Sequence, residues 1–192
     1  VEKHWGYEDI FVDWTKRQTD TIRENFTIGI SGELNLGMFF MNHYLILYHD
    51  ANPRIQKPGD HIKDYMGAAI QLGARTNETS FIEAYAKIGF LNSNYRERNV
   101  TDGFTTGTSL FIEAYGKYKN VGLKSTLSLG DSHIFAQGDR FYHAQNYMRT
   151  DLIWYFINHK KVKGTFNYSL HVIDWKELNQ QQQLSVIYVF GK

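Results

Sequence analysis

Ten segments in which apolar and polar residues alternate run the length of the chain, and the connections between them are long and short in turn. The segments lie near 4–14, 25–35, 39–49, 64–74, 81–91, 105–117, 121–130, 147–157, 163–173 and 182–190. A period of two marks a strand with one apolar and one polar face. Phe26/Ile28/Ile30/Leu34 and Met66/Ala68/Ile70/Leu72 are two such apolar faces, set against Thr27/Ser31/Glu33 and Gln71/Arg75. The connections 15–24, 50–63, 92–104, 131–146 and 174–181 are long, and 36–38, 75–80, 118–120 and 158–162 are short. An antiparallel meander built this way keeps all its long loops at one end. A soluble sheet has no reason to do so, whereas a transmembrane barrel turns tightly on the periplasmic side and loops widely outside. The strand lengths also suit a tilted crossing of the hydrocarbon layer. The expectation is an all-β fold, an antiparallel up-and-down transmembrane β-barrel of about ten strands, forming one domain over 1–192.

Composition agrees. The chain has 13 Tyr, 13 Phe and 4 Trp beside 16 Gly and only 2 Pro, which favours strands over long helices. No apolar run is long enough for a membrane helix; the best, 36–48, is broken by Asn42 and His43. Net charge is +1, so no nucleic-acid partner is expected, and the absence of Cys removes disulfides and thiolate metal ligands. Aromatics near strand ends (Trp14, Tyr48, Tyr118, Tyr147, Phe190) fit the girdles at the two membrane interfaces. The chain opens at Val1 without a signal peptide, as expected of a mature protein or a fragment.

One heptapeptide occurs almost twice, F-I-E-A-Y-A-K at 81–87 and F-I-E-A-Y-G-K at 111–117. If the two form a hairpin centred on residue 100, Glu83 faces Lys117, Lys87 faces Glu113 and Tyr85 faces Tyr115. Opposite charges directly across a sheet attract, so the repeat becomes a self-complementary ladder. Its polar side then lines the barrel lumen with Glu83, Tyr85, Lys87, Glu113, Tyr115 and Lys117, joined by Arg75, while Ile82, Ala84, Ile112 and Ala114 face lipid.

The C-terminal segment Q-L-S-V-I-Y-V-F (183–190) resembles the terminal strand signal of bacterial outer-membrane barrels. Segments 13–29 (D-W-T-K-R-Q-T-D-T-I-R-E-N-F-T-I-G) and 138–154 (G-D-R-F-Y-H-A-Q-N-Y-M-R-T-D-L-I-W) resemble porin-type barrels of Bacteroidota. That resemblance implies the cell outer membrane, with membrane lipid and lipopolysaccharide as surroundings. It also implies that the chain can be the C-terminal ten strands of a larger barrel. The function expected from it is porin-like passage of small polar solutes or a structural membrane role, not an enzyme, with no cofactor, no catalytic residue and no metal, and with any membrane-protein partner unidentified.

Two other readings compete. A barrel enzyme, omptin-like or lipid-modifying, would use an Asp/His site at the loop end, where Asp131, His133, Asp139 and His143 lie in one loop. Gly130-Asp131-Ser132 is similar to the nucleophile block of Gly-Asp-Ser lipases but lacks their strand-to-helix setting. His43, His49 and His61, near the outer ends, have no diagnostic metal-ligand spacing and read as solvated histidines. A soluble lipocalin-like ligand-binding barrel would invert the faces, with its apolar side inward.

Overall fold

The computed structural model describes residues 2–3, 5–14, 25–51, 62–77, 80–97, 103–132, 144–159 and 161–188. These residues form a two-residue β1 (Glu2–Lys3) and ten long strands: β2 (Gly6–Trp14), β3 (Asn25–Leu36), β4 (Phe39–Ala51), β5 (Ile62–Arg75), β6 (Glu83–Glu97), β7 (Thr105–Tyr118), β8 (Val121–Gly130), β9 (Asn146–Asn158), β10 (Val162–Ile173) and β11 (Glu177–Tyr188). Each strand pairs antiparallel with its neighbours in sequence, in one sheet ordered β1 to β11. This is the sheet of an up-and-down β-barrel. Among the described residues β11 pairs with neither β1 nor β2, so β11 is one edge and β2, covered only at its start by the two-residue β1, is the other.

Burial separates the two faces. Ile10, Ile70, Leu72, Phe90, Leu123 and Trp154 are exposed on one side, while Asn25, Thr27, Ser93, Ser109, Glu113, Asp151, Ser169 and His171 are buried on the other. A soluble lipocalin-type barrel needs the reverse. Apolar side chains outside and hydrogen-bonded polar groups inside suit a sheet surrounded by lipid, where backbone groups can be satisfied only by their neighbours. The two faces are called outer and inner below.

The ends of the sheet differ, though less regularly than the sequence implies. Tight reversals at Gly37–Met38 and Lys119–Asn120 use positive φ at Gly37 and Lys119. At the opposite end, β2–β3, β4–β5 and β8–β9 are joined by the long segments 15–24, 52–61 and 131–145. The expected long connection 174–181 is instead a reversal at 174–176, and β11 starts at Glu177 rather than 182. Asp174 and Trp175 both take left-handed φ, 48° and 57°, which closes the hairpin at once. The run Gln180–Gln183 carries no apolar alternation and so conceals the start of the strand. Two more connections differ. β6 runs on to Glu97, because 92–97 pair with 63–68 of β5, so the expected long connection 92–104 shortens to 98–104. At the tight end the β5–β6 connection spans 76–82.

The aromatic girdle is also only partly as expected. Trp14 and Tyr118 are exposed on the outer face. Tyr48 and Tyr147 turn inward, where Asn25 Nδ2 donates to the Tyr48 hydroxyl at 2.8 Å and the Tyr147 hydroxyl lies 2.8 Å from His171 Nδ1. Phe190 lies outside the described residues.

Candidate active site

The inner face is a closed electrostatic network. The β6–β7 register sets Glu83 opposite Lys117, Tyr85 opposite Tyr115 and Lys87 opposite Glu113, centred on residue 100. Lys117 Nζ lies 3.1 Å from Glu83 Oε2, and Lys87 Nζ lies 3.2 Å from Glu113 Oε1. Glu113 is the hub: it also accepts from Tyr85 at 2.8 Å and Thr126 at 3.2 Å, and pairs with Lys124 at 3.0 Å. The Tyr85 and Tyr115 rings stack at 5.3 Å. Arg75 sits toward the tight-turn end, bridging Glu33 at 2.8 Å and Asn35, with its guanidinium 4.8 Å above the Phe40 ring. Further round, Arg149 Nε donates to Asp151 at 2.8 Å and its Nη2 to Ser169 at 3.4 Å. These groups neutralise one another, and such a network holds strands together rather than activating a nucleophile.

The outer face is different. Counting alternate residues up β4, β5 and β6 leads through Leu45, Leu47, Ile70, Ile88 and Phe90, and then the apolar pattern stops. At the long-loop end it is replaced by His49, Asp64 and Arg96, on adjacent strands and directly opposed in register. His49 Nδ1 lies 2.9 Å from Asp64 Oδ1. Arg96 donates to the other carboxylate oxygen through Nη2 at 2.7 Å and Nε at 3.2 Å. Phe26 stacks on the imidazole at 5.2 Å, and Phe104 lies 4.5 Å below the guanidinium.

This geometry assigns the histidine tautomer. An ionised Asp64 can only accept, so Nδ1 carries the proton, and in the neutral ring Nε2, on the far side, then holds the lone pair. Arg96 holds Asp64 from behind, and Phe26 fixes the plane of the ring. The dyad opens into a groove of about 540 Å³ lined by Phe26, Leu47, Met66, Asn94 and Phe104 among others. A second apolar groove of about 500 Å³, floored by Ala68 and flanked by Ile70, Ile88, Phe90 and Leu110, lies further down the same strands. A base beside an apolar trough suits an ester that carries a long acyl chain.

The residues singled out from sequence divide accordingly. Glu83, Tyr85, Lys87, Glu113, Tyr115, Lys117 and Arg75 all point to the inner face. Of the loop residues, Asp131 is described: its carboxylate accepts from Thr108 N at 3.0 Å and its own N–H donates to Thr108 O at 3.0 Å, which extends the β7–β8 pairing by one step. It follows directly on β8, and the residues after Ser132, where a Gly-Asp-Ser lipase has its helix, lie outside the described residues up to 143. His133, Asp139, His143 and His61 lie outside the described residues. His43 pairs with Glu8 at 3.0 Å on the outer face, nearer the tight-turn end. Among the described residues no three His, Asp or Glu side chains are grouped to hold a metal. Sequence reasoning missed Asp64 and Arg96. The signal that finds them is the end of apolar alternation before the long-loop end on three consecutive strands, at His49 on β4, at Asp64 on β5 and already from Asn92 on β6.

Fold and faces thus define an outer-membrane type of barrel with a His–Asp dyad on its lipid-facing wall. The chain belongs to the lipid A 3'-O-deacylase-type family, whose model matches residues 1–190. Comparison with curated proteins and with solved structures gives no match. The family overturns two expectations. It is named for an enzyme, so a non-catalytic chain is the wrong reading, and porin-like transport of small solutes goes with it. The resemblance to outer-membrane barrels holds; its porin part has no support. Family and fold together fit the outer membrane and a lipopolysaccharide partner.

Proposed function

We propose that this protein is an outer-membrane esterase that removes an acyl chain from the lipid A portion of lipopolysaccharide, with His49 as general base and Asp64 as its positioning partner. The observation that carries this reading is the dyad's position. Lipid A occupies the outer leaflet, and its ester bonds lie where the headgroup meets the acyl chains. A group on the outer wall at the long-loop end meets that bond without the substrate leaving the membrane. A group inside the lumen does not.

The chemistry follows from the geometry. His49 Nε2 takes a proton from a water molecule as the water oxygen attacks the ester carbonyl. The tetrahedral intermediate then expels the sugar oxygen, which receives that proton from the imidazolium. The products are a free fatty acid and a sugar hydroxyl. Asp64 stabilises the transient imidazolium and keeps Nε2 facing the groove, and Arg96 keeps the carboxylate in place. The inner residues Glu83, Tyr85, Lys87, Glu113, Tyr115, Lys117 and Arg75 line the lumen of a single barrel domain in the cell outer membrane. Their role there is mutual neutralisation, not conduction.

The test is incubation of the detergent-purified protein with lipid A, followed by mass spectrometry of the lipid. Loss of one acyl group from lipid A by the native protein, and not by His49→Ala, is the expected result. Unchanged lipid A, with a folded barrel, would sink the reading.

A further inference from the structure

Beside the dyad, the outer face of β6 and β7 carries a feature that ester hydrolysis does not use. Up to Phe90 and Leu110, which are directly opposed, this face is apolar. Above them the opposed pairs are Asn92–Thr108 and Asn94–Thr106. The four side chains form one connected ladder. Thr106 Oγ1 donates to Asn94 Oδ1 at 2.7 Å, Asn94 Nδ2 donates to Asn92 Oδ1 at 2.8 Å, and Asn92 Nδ2 donates to Thr108 Oγ1 at 3.1 Å. The adjacent strand does not share this character: in register, Asn94 is opposed by Met66 and Asn92 by Ala68. A polar surface therefore stands next to an apolar one at the same level of the sheet, with Asp64 and Arg96 just above their junction and His49 on the next strand beyond Asp64.

Resting on the deacylase reading, we infer that the Asn92–Asn94–Thr106–Thr108 ladder is a saccharide-binding site that seats the sugar headgroup of the acylated substrate. Amides and hydroxyls both donate and accept, and they match the donor–acceptor character of sugar hydroxyls without adding charge. The ladder's internal bonds fix the amide orientations before any ligand arrives, which lowers the entropy cost of binding. The adjoining grooves over Ala68 and Met66 then receive the acyl chain. Together the two surfaces hold the ester at the groove that Asn94 and His49 both line. The site thus distinguishes a glycolipid from a phospholipid of the same chain length by its sugar.

The experiment uses the full chain in mixed micelles with two substrates: lipid A, and a p-nitrophenyl ester of a matching acyl chain that lacks sugar. Asn92→Ala and Thr106→Val each remove one side-chain partner, and Ser125→Val, on the outer face of β8, is the control. Heat-dependent gel mobility reports whether each variant is folded. Loss of two sugar hydrogen bonds corresponds to about a tenfold weakening. We expect the Asn92→Ala/Thr106→Val double variant to raise KM for lipid A by about that factor relative to its effect on the simple ester. Equal effects on both substrates, or none, would overturn the headgroup site while leaving the deacylase reading intact. A parallel assay measures retention of lipid A nanodiscs against phosphatidylglycerol nanodiscs. If the native protein hydrolyses neither substrate but retains lipid A better than the double variant does, the headgroup site stands and the deacylase reading fails. Equal retention by both proteins would overturn the site.

Discussion

Lys87 and Glu113 face each other across β6 and β7, Nζ to Oε1 at 3.2 Å, each in the same kind of heptapeptide read in opposite directions. The two pairs that this repeat creates differ in setting. Glu83 is two-thirds exposed and has Lys117 as its ion-pair partner, whereas Glu113 is almost fully buried and serves Lys87, Lys124, Tyr85 and Thr126 together.

Charge reversal should separate them. Swapping Glu83 and Lys117 preserves an isolated, exposed pair, so the double variant should recover most of a loss of at most about 1 kcal/mol. Swapping Lys87 and Glu113 places a lysine beside Lys124 and leaves Tyr85 without its acceptor, so it should not recover. Urea unfolding of the detergent-solubilised barrel, by tryptophan fluorescence, measures both cycles. Full recovery of the Lys87/Glu113 swap would mean that Glu113 is not shared as the structure has it.

Gly73 gives a packing prediction. It lies directly opposite Phe40, and a Cβ built on it would meet the Phe40 ring at 2.3 Å. The ring covers the glycine and carries Arg75 on its face. Gly73→Ala should displace Phe40 and lower stability by about 1–3 kcal/mol, and Gly73→Ala/Phe40→Leu should regain part of it. Unfolding midpoints check the pair; additive losses would show that the two do not touch.

Orientation is tested by single cysteines. Ser132 lies at the long-loop end and Asn120 in the tight turn between β7 and β8. An impermeant thiol reagent applied to intact cells should label Ser132→Cys and spare Asn120→Cys. The reverse pattern would put the dyad at the inner leaflet and remove it from lipid A.

Much of the sheet is legible in the sequence because a lipid-surrounded strand must keep its alternation, and charged partners must meet across it. The register of 81–87 with 111–117 follows from Glu and Lys alone. The start of β11 is hidden by Gln180–Gln183, whose uniform polarity carries no period. Tyr48 and Tyr147 point inward despite their place near strand ends, because Asn25 and His171 offer their hydroxyls partners inside. The dyad is harder to see. His49 and Asp64 are separated by a long connection and become neighbours only through the β4–β5 register, and a lone histidine near a loop looks like any solvated one.

Among the described residues the outer face carries two histidine–carboxylate pairs, and they make opposite predictions. His49–Asp64 sits at the long-loop end, backed by Arg96 and open to a groove. His43–Glu8 spans Gly32 near the tight-turn end, where a Cβ on that glycine would meet Glu8 Oε2 at 2.3 Å, and His43 is opposed by Ile70. An ester at the headgroup boundary of the outer leaflet reaches the first pair and not the second. His49→Ala should therefore lower lipid A deacylation by about 10²–10⁴-fold, the range for loss of a general base. Asp64→Asn should also lower kcat, because an asparagine cannot stabilise the imidazolium and can present its amide N–H to Nδ1, favouring the wrong tautomer. His43→Phe should leave turnover within about two-fold of native, since an exposed-face substitution away from the reacting bond costs little. The measurement is the rate of fatty-acid release from lipid A in mixed micelles, with folding checked for every variant. Loss of activity in His43→Phe with His49→Ala fully active would move the reaction to the other pair and refute the assignment of His49.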